Sequence, residues 1–134
     1  MGVRQTMVKR IIASKEAPVA IGPYSQAIVV GDMLFSSGQI PINPATGEVV
    51  SGSIEEQTRQ VLDNLGAVLK EAGMDYHDVV SVTLFLDDIT NFNRVNQVYA
   101  EYFGEQPPAR ATVEAARLPR NVGVEISLIA IKTH

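Results

Sequence analysis

Two amphipathic helical segments stand among six short stretches with strand patterning, and that ratio restricts the fold more than any other feature of the chain. The first helix is punctuated at both ends. Ser53 and Glu56 form an S-x-x-E capping box, and Gly73 stands at the C′ position. Between them Ile54, Val61, Leu62, Leu65, Val68, Leu69 and Ala72 recur at three- and four-residue spacing and build one apolar face. A second helix is read from Asn91 to Phe103, with Phe92, Val95, Val98, Tyr99 and Tyr102 inward and Gly104 ending it. Strand patterning covers Met7 to Ala13, Gln26 to Val30, Met33 to Ser37, Val79 to Leu86, the segment around Arg110, and Val122 to Ile131. Gly31-Asp32 reads as a two-residue hairpin turn. In Val79 to Leu86 the alternation places Val80, Val82, Leu84 and Leu86 on one apolar face.

The predicted order is therefore β-β-β-α-β-α-β-β, an α+β domain with a mixed six-stranded sheet. Two helices can cover only one face of such a sheet. The other face, with Thr83 and Phe85 on one strand and Glu125, Ser127, Ile129 and Ile131 on another, is too apolar for water and too polar for a core. Packing against another copy of the chain resolves the conflict, with clefts left between subunits.

At 134 residues the chain is read as one domain, 1–134, with residues 1–6 a loose N-terminal extension before Met7. There is no cysteine, hence neither disulfide framework nor thiolate metal site, and only His77 and His134 are available as imidazoles. Histidine metal clusters and Ser-His or Cys-His catalytic pairs are excluded on that count, unless His77 acts alone. A net charge of −4 with scattered basic residues argues against a nucleic-acid footprint. No apolar run approaches the length of a membrane span and no signal peptide opens the chain, so a cytoplasmic protein is expected.

Two charges interrupt otherwise apolar strands: Arg110, in Pro107-Pro108-Ala109-Arg110-Ala111-Thr112-Val113-Glu114, and Glu125, among Val124, Ile126, Leu128 and Ile129. Each needs a counter-charge or a ligand if it is buried. The two segments are read as a final hairpin through Leu118-Pro119-Arg120-Asn121. A two-residue loop would put Arg110, Thr112 and Glu114 on the face of Glu125, and an odd-length loop would reverse this. Both registers stay open, and so does a plain salt bridge from Arg110 to Glu114 or Glu125.

Several segments together resemble the Rid proteins, the reactive intermediate deaminases also called the YjgF family. They are Ala20-Ile21-Gly22-Pro23-Tyr24-Ser25-Gln26-Ala27, Ser36-Ser37-Gly38-Gln39-Ile40-Pro41, Gln57 to Leu65, Asn93 to Phe103, and Pro108 to Glu114 followed by Arg117-Leu118-Pro119. The resemblance runs from about Val8 to Lys132. It implies a chorismate-mutase-like fold, a homotrimer packed sheet-inward, and three equal pockets at subunit interfaces. It further implies hydrolysis of short 2-imino acids and their enamine tautomers to 2-keto acids and ammonia, with no metal or organic cofactor. The positions matching the archetypal branch are Arg110 for the substrate carboxylate, Tyr24, Ser37, Gly38, Asn96 and Glu125. At Thr112 some members carry cysteine, and the position is thought to contribute its backbone.

Chemically, the planar fork of Arg110 suits a carboxylate, and Glu125 could position water or relay a proton to departing nitrogen. Tyr24 would wall the pocket or donate its hydroxyl, and Ser37-Gly38 would let backbone approach a ligand. Two other roles compete: a metabolite-binding regulatory trimer without turnover, and an endoribonuclease.

Overall fold

A computed structural model describes residues 8–133; the extension expected over residues 1–6 lies outside them. Six strands, β1 (Lys9–Ile12), β2 (Ala27–Val30), β3 (Met33–Ser36), β4 (Val79–Leu86), β5 (Ala109–Glu114) and β6 (Val124–Ile131), form one sheet in the order β1-β2-β3-β6-β4-β5. Two helices, α1 (Ile54–Glu71) and α2 (Phe92–Phe103), pack on one side of it. The β-β-β-α-β-α-β-β order is the expected one, and no helix among the described residues is long and apolar enough to cross a membrane.

Local signals work as written. The Ser53 hydroxyl accepts the Glu56 N–H at 3.1 Å, the Glu56 carboxylate reaches back to the Ser53 N–H, and Gly73 turns the chain at φ 75°. Removing that cap is expected to cost about 1 kcal/mol, so Ser53→Ala should lower the thermal midpoint by a few degrees without altering the fold. A melting curve that does not move would show that the cap carries no weight here. The α1 stripe Val61, Leu62, Leu65, Val68 and Leu69 is wholly inside, against Val82, Leu84, Leu86, Ile126 and Leu128 of the sheet.

Long-range order departs from the expected final hairpin. β5 does not pair with β6; it runs parallel to β4, and β6 lies between β3 and β4, antiparallel to both. Two forces account for this. The α2 crossover returns the chain parallel to β4, and VEISLIAI suits the middle of a sheet better than ARATVE, which goes to the edge. The connection crosses the end of the sheet as a 3-10 turn (Pro119–Asn121), with Arg120 and Asn121 both left-handed and with Leu118 and Val122 buried at its sides.

A second departure is local. A bulge between Val79 and Ser81 turns Val79 toward the helices and leaves Val80 38% exposed, so Val80 does not join Val82, Leu84 and Leu86 inside. The uncovered face carries a row across the sheet, Ile11, Ile28, Phe35 and Ile129, in direct register. Ile11 is 62% and Phe35 41% exposed.

Candidate functional site

Register decides where the two strand charges go. Arg110 stands opposite Val82, a residue buried beneath the helices, whereas Glu125 stands opposite Phe85 on the uncovered face. The expected shared strand pair is thus corrected: Arg110 and Glu125 point to opposite sides of the sheet, with β4 between their strands. Neither open register applies, since the strands are not partners.

The Glu125 half is a cleft of about 470 Å³ lined by Ile21, Tyr24, Ser37, Gly38, Ile40, Pro119 and Glu125. Four of the residues singled out from sequence (Tyr24, Ser37, Gly38 and Glu125) meet here. After β3 the chain kinks, then rejoins β6 through a two-way hydrogen-bonded bridge between Gln39 and Ile126. The kink lays Gly38 directly on the Glu125 side chain; a Cβ there would come within 2.9 Å of the carboxyl carbon and still closer to one carboxyl oxygen. A side chain at this position would push the Glu125 carboxyl aside. Buried amides hold the surrounding loops. Asn64 of α1 donates to the Ile42 carbonyl at 2.9 Å, and Gln26 accepts the Ser14 N–H at 2.6 Å while donating to the Pro18 carbonyl at 2.8 Å.

Within the cleft, the Ser37 hydroxyl donates to the Ser25 carbonyl at 2.5 Å, so its side chain serves the loop. Tyr24 stands two residues after Gly22, which has φ 134°, and its hydroxyl accepts the Ile21 N–H at 3.3 Å, leaving its own proton to give. Burial pushes the Glu125 carboxyl above the ordinary glutamate range, and no cation among the described residues offsets this.

The Arg110 half lies at the other edge, where β5 meets α2. Phe92, Asn96 and Tyr99, at i, i+4 and i+7, form one stripe of the helix facing this side chain. The guanidinium donates to Asn96 Oδ1 at 2.8 Å and lies 4.5 Å from the Tyr99 ring centroid and 5.5 Å from that of Phe92. Asn96 is therefore half-buried and engaged, rather than turned to solvent as a mid-helix asparagine usually is. Thr112 shares the helix-side face of β5 with Arg110 and is half-buried.

Arg110 makes no ion pair among the described residues, so neither Glu114 nor Glu125 of its own chain is its partner. Glu114 instead accepts the Ile89 N–H at 2.8 Å, and the ion pairs present are the exposed Arg59–Glu101 and Arg94–Glu55. Tyr99 is buried beneath the guanidinium, its phenol pushed up by burial against the opposing pull of the cation, and its hydroxyl lies near the guanidinium without a well-aligned hydrogen bond. Phe92 and Tyr99 read as core residues in the sequence. The signal that they belong to a site is the asparagine set into their stripe, a polar group that demands a partner.

The six-stranded α+β sheet thus carries an arginine with no ion pair among the described residues at one edge and a recessed carboxyl on its open face. The sequence model of the family described as Endoribonuclease L-PSP matches residues 14–132, and the chain belongs to this family, the Rid or YjgF family. A RutC family protein of Pyrococcus abyssi is 53% identical over 126 residues, covering 94% of this chain and 99% of the relative. The human 2-iminobutanoate/2-iminopropanoate deaminase is 44% identical over 127 residues, covering 95% and 93%. The crystal structure of YyfA from Yersinia pestis, of the conserved Rid protein family, is 51% identical and superposes with a TM-score of 0.90, covering 93% of this chain and 100% of that one.

Proposed function

We propose that the chain hydrolyses short 2-imino acids, such as 2-iminopropanoate and 2-iminobutanoate and their enamine tautomers, to 2-keto acids and ammonia, in a homotrimer. The observation that carries this reading is the division of the site. An arginine and a carboxyl, neither with an ion pair among the described residues, sit on opposite sides of one sheet, the carboxyl in an open cleft and the arginine against the α2 stripe. Stacking copies on the uncovered apolar row would bring the Arg110 edge of one protomer against the Glu125 cleft of its neighbour. The human relative's activity supports the same chemistry.

In that pocket Arg110 holds the substrate carboxylate and Asn96 steadies the guanidinium. Glu125 orients a water molecule whose oxygen adds to the imine carbon. A proton passes to nitrogen, the C–N bond breaks, and ammonia leaves as the C=O forms. Tyr24 closes the wall with a hydroxyl able to donate, and Thr112 lines the arginine side. The lining of the Glu125 cleft includes neither histidine nor lysine, which favours this reaction over phosphodiester cleavage.

Mixing the inactive variants Arg110→Ala and Glu125→Gln tests the reading. Randomly mixed trimers would rebuild roughly a quarter of their pockets with both wild-type halves, and keto-acid release coupled to an amino-acid oxidase should recover to that level. Mixed trimers that stay inactive would overturn the shared pocket. Gly38→Ala probes one half alone: displacing Glu125 should lower kcat about tenfold with the fold unchanged, and undiminished turnover would remove Glu125 from the mechanism.

A further inference from the structure

We propose that Tyr99, with Phe92 beside it, is a positioning residue whose ring fixes the plane of the Arg110 guanidinium and presents its free N–H edge to the incoming carboxylate. The inference rests on the reading of Arg110 as the carboxylate holder and assigns that arginine a support.

A guanidinium is attracted to the negative face of an aromatic ring, and Arg110 lies over two of them, at 4.5 and 5.5 Å. Its Nη2 is tied to the neutral Asn96 oxygen, which fixes rotation within the plane but brings no opposing charge. All three contacts come from one rigid helix at i, i+4 and i+7, so they move together. Such an arginine has lost its side-chain freedom before any ligand arrives, and the ordering cost is removed from the binding step. Most of its five N–H donors stay free for a two-pronged grip. Tyr99 itself is only 6% exposed and its hydroxyl has no well-aligned hydrogen-bond partner, an imperfection that a phenylalanine would avoid. The ring is the working part.

The expected signature is loss of affinity rather than of rate. In titration calorimetry of the full chain with 2-oxobutanoate, Tyr99→Leu should raise Kd about tenfold. KM for imine hydrolysis should rise in parallel while kcat stays within about threefold. Tyr99→Phe should return both constants to within about twofold of wild type, which a merely core-filling role would not separate from leucine. Phe92→Leu, at a half-exposed position, should weaken binding about threefold. A folded Tyr99→Leu that binds as wild type does, or that loses kcat with KM untouched, overturns the proposal. Should that variant fail to fold, an unchanged Kd in Phe92→Leu overturns it instead. Wild-type binding of 2-oxobutanoate without imine turnover would leave this inference standing and sink the deaminase reading alone. Tight binding that survives Arg110→Ala would sink both.

Discussion

Arg110→Ala is expected to lower kcat/KM for 2-imino acid hydrolysis by roughly 10²- to 10⁴-fold. Two charge-assisted hydrogen bonds to a carboxylate contribute about 1.5–3 kcal/mol each, and each 1.4 kcal/mol is tenfold. Stability should fall less than activity. No ion pair among the described residues is lost, only the hydrogen bond to Asn96 and the cover over the Tyr99 and Phe92 rings, about 2–3 kcal/mol together. Arg110→Lys should recover only part of the activity, because an ammonium cannot lie flat on the rings and engage a carboxylate with two parallel bonds. Parallel assays of imine disappearance and thermal melting check both halves. A variant that hydrolyses imines at the wild-type rate would show that the carboxylate is held elsewhere.

Glu125→Gln should reduce kcat by about 10²-fold and, at neutral pH, leave the protein equally or more resistant to heat. The stability half follows from proton linkage. Burial raises this carboxyl in the folded chain, while in the unfolded chain it titrates in the ordinary range. Between those two values the folded form keeps a proton that the unfolded form gives up. The protonated group's contribution is therefore full below the ordinary glutamate range and is lost as pH rises through the raised folded value. Glutamine cannot ionise and escapes that loss. The melting midpoints of wild type and variant should meet in acid and separate, in favour of the variant, as pH increases. A wild type that stays ahead at neutral pH would mean that the carboxylate has a cation beside it in the assembled protein.

How much of this could be read from the residues depended on distance along the chain. The Ser53–Glu56 cap, the Gly31-Asp32 turn, the Gly73 and Gly104 stops and the limits of β4 all rest on interactions within a few residues, and all stand. The position of β6 could not be read the same way. Proximity in sequence favoured β5 as its partner, while burial of Val124, Ile126, Leu128 and Ala130 is satisfied only in the middle of the sheet. The bulge that exchanges Val79 for Val80 leaves no mark in the sequence, because the two adjacent residues are both valine. For the candidate site, the residues were drawn from a resemblance to a family, and their division between two faces could not be drawn from it. Whether a side chain points up or down is fixed by strand order, and strand order was the part misread. Phe92 and Tyr99 were hidden for another reason: a ring that supports a cation has the same spacing as one that fills a core.

The middle position of β6 bears on how the chain is made. Both neighbours, β3 and β4, emerge from the ribosome well before it, and until Val124–Ile131 follows, a slot stays open between them. Nascent chains would wait with unpaired backbone along two strands, a state prone to sticking to its own kind. The same eight residues that fill the slot carry Glu125. Completion of the sheet and arrival of the Glu125 carboxyl are thus one event, and no unfinished chain bears the complete cleft.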